Sequence, residues 1–203
     1  MPREPNPVET PDSALLDLAT AGDLEAFAAL YRRYQQIVYR FARAMTGSAD
    51  AAEDITQEVF VALLTQAGRY DPERAAFATY LYGMVRNLSR ARLRRESRRL
   101  SVETFVLGGP ESREDDPASR IENDETVTAV RRALGRLPSR YRELIVLCDL
   151  HGLSYQEAAV VVEASVPAVR SRLHRGRQLL KLRFATASPV TPRRAMHPAR
   201  CAI

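Results

Sequence analysis

Tryptophan is absent from this chain of 203 residues, and cysteine and histidine are scarce, with two and three copies. Two cysteines, Cys148 and Cys201, are too few for the disulfide framework that supports many small secreted proteins. The three histidines lie far apart in the sequence and lack the spacing of metal ligands. We therefore predict no metal, no cofactor and no disulfide-stabilised fold.

Residue patterns that carry catalysis are missing as well. The sequence has no nucleophile elbow, no phosphate-binding loop and no zinc-protease helix. An enzymatic activity therefore has no support, and we expect a protein that is not an enzyme.

Long apolar runs are also lacking. No stretch approaches the roughly 20 apolar residues that would span a bilayer. The first residues, Met1 to Pro5, have no apolar signal core. These absences predict a cytoplasmic protein without membrane insertion.

Positive charge is present in excess. The chain has 30 Lys and Arg against 25 Asp and Glu, a net charge of +5, and a pI near 9.5. Such a balance favours an anionic partner, and nucleic acid is the commonest one.

Apolar residues recur at helical spacing through most of the chain, which predicts an all-α fold. Composition divides it into two small helical domains, residues 12–100 and 126–184, the second containing a helix-turn-helix. Residues 101–125 contain Gly108-Gly109-Pro110 and many acids, which is typical of a flexible, solvated linker. The termini, residues 1–11 and 185–203, are predicted to be disordered.

Four helices are predicted in the first domain. Asp12 is placed to cap a short helix with apolar residues at Leu15, Leu16 and Leu18. A long helix then follows Gly22-Asp23, the next runs from Ala49 to Gln66, and the last runs from about Ala75 to Arg99.

The second domain carries the clearest motif. A helix over Pro138 to Leu150 is followed by a break at His151-Gly152. Ser154 and Glu157 have the form of a capping box, which predicts a short helix, and Ser165 is a plausible cap for a longer third helix. A short helix, a tight turn and a longer helix are the elements of a helix-turn-helix.

The third of these helices has a basic exposed side. From Arg170 to Arg183 it contains six Arg or Lys and no acid. Arg can bind phosphate or guanine as a fork, and Ser can add a contact to a base edge. A solvated basic face is the simpler alternative, but its position in a helix-turn-helix favours DNA contact through the exposed side. That side contains Arg170, Ser171, His174, Arg175, Gln178 and Lys181.

Two further surfaces stay ambiguous on residue pattern alone. The helix over 49–66 buries Ile55, Val59 and Leu63 and clusters polar residues at Glu53, Asp54, Gln57 and Glu58, either as a solvated face or as a protein interface. The helix from Ala75 begins with aromatic residues and ends with seven Arg between Arg86 and Arg99. Stacking rings beside Arg suit melted nucleic acid, whereas core packing is the alternative for Tyr80 and Tyr82 and the favoured one for Phe77.

Several segments resemble one known family. Gly22-Asp23, the segment Ala52-Glu53-Asp54-Ile55-Thr56-Gln57-Glu58-Val59-Phe60, and Tyr80-Leu81 with Arg86-Asn87-Leu88 resemble region two of bacterial sigma factors. Leu153-Ser154-Tyr155-Gln156-Glu157-Ala158-Ala159 and the run from Val169 to Arg177 resemble region four. Two regions joined by a short linker are similar to the extracytoplasmic-function group of the sigma-70 family.

The resemblance implies a function and specific residues. Such proteins bind core RNA polymerase, direct it to promoter DNA, help to open the duplex, and are commonly held inactive by an anti-sigma factor. The polymerase contacts would be Asp54, Gln57 and Glu58. The −10 element and melted strand would contact Arg69, Tyr70, Tyr80, Arg86, Asn87 and Arg90, and the −35 element would contact Arg170, Ser171, His174 and Arg175.

Two other interpretations remain open from the residues. The protein could be an autonomous helix-turn-helix regulator that binds an operator without polymerase. It could instead be an adaptor whose basic surfaces bind an acidic protein, with no sequence preference for DNA. The acidic face around Asp54 separates the first alternative from a sigma factor, because an operator-binding protein has no need of it.

Overall fold

The computed structural model describes residues 10–107 and 125–187, in which every regular element is a helix. The predicted all-α class is therefore confirmed. The α-helices of these segments are α1 (Asp12–Thr20), α2 (Leu24–Thr46), α3 (Ala49–Thr65), α4 (Phe77–Leu107), α5 (Glu125–Gly135), α6 (Ser139–Ile145), α7 (Tyr155–Val162) and α8 (Val166–Ala187). Residues 1–9, 108–124 and 188–203, which include most of the predicted linker and both predicted disordered ends, lie outside the described residues.

Helices α1 to α4 form the first half around a core of large apolar side chains. Asp23 caps α2 by accepting hydrogen bonds from the amides of Glu25 (2.9 Å) and Ala26 (3.1 Å). Ser48 caps α3 through the amide of Ala51. The fully buried residues of this half include Leu30, Phe41, Met45, Ile55, Val59, Leu63 and Leu81, so the predicted stripe of α3 is confirmed.

Two details of α1 differ from prediction. Pro11 occupies the N-cap position and Asp12 is the first helical residue, without a capping hydrogen bond. Its carboxylate instead contacts Arg33 and accepts a hydrogen bond from the Tyr34 hydroxyl at 2.5 Å, which ties α1 to α2. Leu18 is 46% exposed, because the apolar stripe of this short helix is formed by Leu15, Leu16 and Ala19.

Helix α4 is longer than predicted. It continues to Leu107, past Arg99 and into the segment assigned to the linker. Residues 101–107 contain neither Gly nor Pro, so nothing in them ends a helix, whereas Gly108-Gly109-Pro110 follows directly.

Helices α5 to α8 form the second half, which contains the predicted helix-turn-helix. Helix α6 continues into a π-helical turn, Val146–Leu150, closed by a hydrogen bond from the His151 amide to the Val146 carbonyl. The capping box of Ser154 and Glu157 is present at the start of α7. The Ser165 hydroxyl accepts from the amide of Ala168 at the start of α8, as predicted.

The two halves, predicted as separate domains, share an interface. Arg86 of α4 reaches Glu143 of α6 at 3.1 Å and also donates to the Val162 carbonyl at the end of α7. Arg142 donates to the Met45 carbonyl at the end of α2. This contact positions the site residues of α4 relative to those of α8.

Candidate polymerase and DNA interfaces

The acidic face of α3 borders a shallow surface groove. Its volume is about 550 Å³, and its lining residues are Asp54, Gln57, Glu58, Val61, Ala62, Thr65, Gln66 and Leu88. The first three are exposed, as predicted for a contact surface. Val61, with 62% of its surface exposed, adds an apolar patch beside these polar residues. We call this surface the α3 groove.

The groove also contains contacts that were not predicted. Arg92 of α4 pairs with Asp54 at 2.8 Å, and the pair raises the pKa of Arg92. Asp54 is therefore ion-paired within the chain, whereas Glu58 has no ion pair among the described residues. Val61 could have been found from sequence, because it follows Gln57 and Glu58 at the four- and three-residue spacing of one helix face.

Aromatic rings cluster where the 3₁₀ turn Ala67–Arg69 leads toward α4. The Tyr70 ring lies 5.0 Å from that of Phe77, edge-on, and 5.4 Å from that of Tyr80. Burial raises the pKa of Tyr70 and of Tyr80. Phe77 is buried and Tyr80 is half-buried, so Phe77 is core, as favoured, while Tyr80 keeps an accessible part.

Asn87 and Tyr80 are seven residues apart on α4, which places them on one helix face two turns apart. Asn87 is exposed and Arg90 is half-buried. Arg69 lies close enough to Tyr80 to act on its pKa, in the lowering direction, against burial. The structure therefore assembles a polar and aromatic surface from Arg69, Tyr70, Tyr80 and Asn87.

Arg86 is not part of that surface. Its side chain is 7% exposed, and that of Glu143 is 3% exposed. The guanidinium also donates to the Val162 carbonyl at 3.1 Å and lies 3.7 Å from a Glu163 oxygen. In this arrangement of the two halves, Arg86 is turned toward the second half and closed to other ligands.

Tyr82 is likewise occupied within the chain. Its hydroxyl hydrogen-bonds to Nδ1 of His151 at 2.8 Å, and the His151 ring meets Phe41 edge-on. Burial raises the pKa of Tyr82 to about 12. Burial, helped by Arg40, lowers the pKa of His151 to about 4. Both groups are thus neutral at pH 7. Of the two interpretations of Tyr82, stacking on melted nucleic acid and core packing, its burial supports core packing.

The predicted DNA face of α8 is open. Arg170, Ser171, His174 and Arg175 are all exposed, while Val169 and Leu173 are buried on the opposite side. His174 hydrogen-bonds to Gln178 at 3.0 Å. Within residues 10–107 and 125–187, Arg175 has no ion pair, so its five donors are available to an anion.

Close packing of α8 on α6 fixes the direction of this face. A Cβ atom at Gly176 would lie 3.1 Å from Ile145 Cδ1 and 3.3 Å from Tyr141 Cβ. Only a very small residue therefore fits at position 176 without a shift of the neighbouring atoms of α6.

Other site types find no support in the described ranges. Residues 10–107 and 125–187 contain no His, Cys, Asp and Glu group arranged to hold a metal ion. None of their helices has the length and apolar character needed to cross a membrane. Cys148 is half-buried, and burial raises the pKa of its thiol.

Comparison with known families matches both halves. The family model for Sigma-70 region 2 matches residues 30–99, and that for Sigma-70, region 4 matches residues 128–180. The α3 groove and the aromatic surface lie in the first range. The exposed face of α8 lies in the second.

Individual relatives agree with this assignment. The chain is 34% identical over 168 residues to the ECF RNA polymerase sigma factor SigE of Mycolicibacterium smegmatis, which covers 82% of this chain but 64% of that longer protein. It is 30% identical over 177 residues to the ECF RNA polymerase sigma-E factor of Escherichia coli K12, covering 83% of this chain and 92% of that factor.

A solved structure agrees at the level of the fold. CnrH in complex with the cytosolic domain of CnrY has a TM-score of 0.64 and 27% sequence identity, and covers 87% of this chain and 99% of that chain. With both regions matched in order and relatives aligned across them, this chain belongs to the extracytoplasmic-function group of the sigma-70 family of RNA polymerase sigma factors.

Proposed function

We propose that this protein is a cytoplasmic promoter-specificity subunit that binds core RNA polymerase, directs it to promoters and helps to open the DNA, without chemistry of its own. The observation that carries the proposal is the presence in one chain of a region 2 half with an exposed acidic groove and a region 4 half with an open basic helix. An operator-binding regulator would need only the second.

Polymerase contact is assigned to the α3 groove. Gln57 and Glu58 offer exposed hydrogen-bonding groups, and Val61 offers apolar area that a partner can bury. A mixed surface of this kind suits a protein partner with basic residues around an apolar contact. Asp54 contributes to the same contact once Arg92 is displaced or shared.

The −10 element and melted strand are assigned to the aromatic surface. Tyr70 and Tyr80 offer ring faces on which an unstacked base can lie, and Asn87 and Arg69 offer hydrogen bonds. Arg90 adds positive charge on α4. Arg86 contributes to DNA only in an arrangement in which Glu143 no longer holds it, so DNA binding through Arg86 requires the two halves to separate.

The −35 element is assigned to α8, with Arg175 as its principal contact. A helix in the major groove can reach base edges with Arg170, Ser171, His174 and Arg175, which are all exposed. Removal of the Arg175 guanidinium by Arg175→Ala therefore weakens recognition of duplex DNA and leaves the α3 groove intact.

An anti-sigma partner is a further part of the proposal. The related CnrH is solved in complex with the cytosolic domain of CnrY. An anti-sigma partner of this chain would bind it in the absence of polymerase and compete with polymerase for it.

Charge reversal in the α3 groove tests the polymerase contact. Glu58→Arg should lower affinity for core polymerase at least tenfold, because it places a like charge against a basic partner. Glu53→Arg is the matched control, since Glu53 is exposed on the same helix but does not line the groove. Binding to purified core polymerase is measured by fluorescence anisotropy.

Equal affinities for the two variants would contradict the assignment of the groove. If both bound core polymerase normally and the protein alone bound a specific operator, the autonomous regulator would replace the proposed function.

A further inference from the structure

One cation of α8 is tied to another element of the second half. Arg177 forms a two-pronged contact with Asp149 of the π-helical turn, with Nε to Oδ2 at 3.1 Å and Nη2 to Oδ1 at 2.5 Å. This hydrogen bonding raises the pKa of Arg177, and the Tyr155 hydroxyl lies near enough to act on that pKa in the same direction. Arg177 therefore differs from Arg175, two positions earlier in α8, which is exposed and has no ion pair among the described residues.

Asp149 has no favourable role in its own helix. A carboxylate in the last turn of a helix faces the negative end of the helix dipole. The helix that it contacts, α8, has no acid from Arg170 to Arg183. The pairing with Arg177 accounts for an acid at this position, because the fork geometry fits both carboxylate oxygens.

Tyr155 extends the contact to a predicted DNA-binding residue. It is the first residue of α7, and the guanidinium of Arg170 lies over its ring at 5.8 Å from the centroid. Arg170 and Arg177 are seven residues apart and so share a face of α8. Asp149 thus holds Arg177, and the Tyr155 ring lies under Arg170 on the same side of α8. We call these four residues the α8 clamp.

We infer that Asp149 and Tyr155 are positioning residues for promoter recognition, which hold Arg177 away from DNA phosphate and orient the Arg170 guanidinium toward base edges. The inference rests on the proposed function and adds to it a determinant of specificity. An Arg that is bound by a carboxylate releases no counterion from DNA, so the clamp limits sequence-independent affinity. An Arg170 that is already ordered loses less conformational freedom when it contacts a base.

The test measures binding of the holoenzyme, formed from the full chain and core polymerase, to two duplexes. One is a promoter fragment selected by the wild-type holoenzyme from a random library, and the other is a scrambled duplex of equal length. For Asp149→Asn, the freed Arg177 should make the slope of log affinity against log salt on the scrambled duplex steeper by about 1. The ratio of specific to scrambled affinity should fall about tenfold.

Three further variants make the test specific. Asp149→Asn combined with Arg177→Gln should return the salt slope to the wild-type value and restore most of the discrimination, because no freed cation remains to bind phosphate. Asp149→Glu should restore discrimination in part. Tyr155→Phe keeps the ring under Arg170 and should discriminate better than Tyr155→Ala. The base pairs at which Tyr155→Ala and Arg170→Ala lose preference should coincide.

Two results would overturn the inference. One is an Asp149→Asn variant that binds both duplexes more weakly by the same factor at an unchanged salt slope, which is the behaviour of a purely structural residue. The other is a variant identical to wild type. Wild-type holoenzyme that bound the two duplexes with equal affinity, with no change in either affinity on Arg175→Ala, would contradict the proposed function. The inference about the α8 clamp would then be contradicted as well, because it rests on that function.

Discussion

Arg86 and Glu143 form the most buried ion pair described in this chain, with side chains 7% and 3% exposed. Glu143→Gln would leave a buried guanidinium without a full counter-charge. The free energy of unfolding should fall by about 3 kcal/mol, as expected when one partner of a buried pair is removed. Denaturant unfolding followed by circular dichroism measures the change.

The double variant Arg86→Met with Glu143→Leu is the control for that result. Apolar residues of similar size remove both charges, so most of the lost stability should return. A Glu143→Gln variant as stable as wild type would show that the pair does not hold the two halves together.

His151 should make stability depend on pH. Its pKa in the folded chain is lowered to about 4 by burial and by Arg40, below the ordinary value of about 6.5 for an exposed histidine. Between these two values the unfolded chain binds a proton that the folded chain does not. Stability therefore rises with pH across this window and is lost as pH falls from about 6.5 toward 4.

The measurement compares unfolding at pH 7 and pH 5. His151→Gln, which cannot be protonated, should show a smaller difference between the two than wild type does. His174→Gln, at an exposed position on α8, should keep the wild-type difference. An unaltered pH dependence in His151→Gln would contradict the assignment.

For individual residues, the sequence predicted which side of a helix a side chain lies on better than it predicted which residue that side chain contacts. Helical spacing correctly placed Ile55, Val59 and Leu63 inside and Arg175 outside, because position on a helix follows from periodicity alone. It could not show that Arg86 meets Glu143, which is 57 residues away in the sequence. Such a contact depends on how the two halves pack, and no local pattern contains that information.

Among the helices, the contact between α6 and α8 depends on Gly176. At Gly83 of α4 an added Cβ would meet nothing within 4 Å. Gly83→Ala should therefore raise the free energy of unfolding by about 1 kcal/mol through helix propensity. Gly176→Ala should lack that gain, since its Cβ would lie 3.1 Å from Ile145 Cδ1. Gly176→Leu should lower stability by about 1–3 kcal/mol.

Thermal unfolding of the three variants checks this prediction. A gain from Gly176→Ala equal to that from Gly83→Ala would mean that Ile145 moves aside freely. The orientation of α8 would then need another explanation.

Element boundaries were predictable where a side chain makes them. The Ser154–Glu157 capping box and the Ser165 cap were predicted from local sequence, and both are present. The predicted cap at Asp12 was wrong, because Pro11 takes the N-cap position. Helix α4 ended later than predicted, because a change from basic to mixed composition does not stop a helix, whereas the glycines at 108 and 109 can. The π-helical turn after α6 had no signal in the sequence.

For the whole molecule, the described halves pack through Arg86, Arg142, Tyr82 and His151. The sequence predicted two modules and their order, because each has its own apolar periodicity and a polar segment lies between them. It did not predict their interface, whose side-chain hydrogen bonds join residues far apart in the sequence, such as Arg86 and Glu143. The proposed binding to melted DNA through Arg86 requires this interface to open.

Run-off transcription with purified core polymerase on a library of promoter fragments tests the central claim, that this protein supplies promoter specificity to polymerase. Defined transcripts should appear only when the protein and core polymerase are both present. They should be lost with Glu58→Arg and with Arg175→Ala and retained with Glu53→Arg. Absence of protein-dependent transcripts, together with specific duplex binding by the protein alone, would contradict the account.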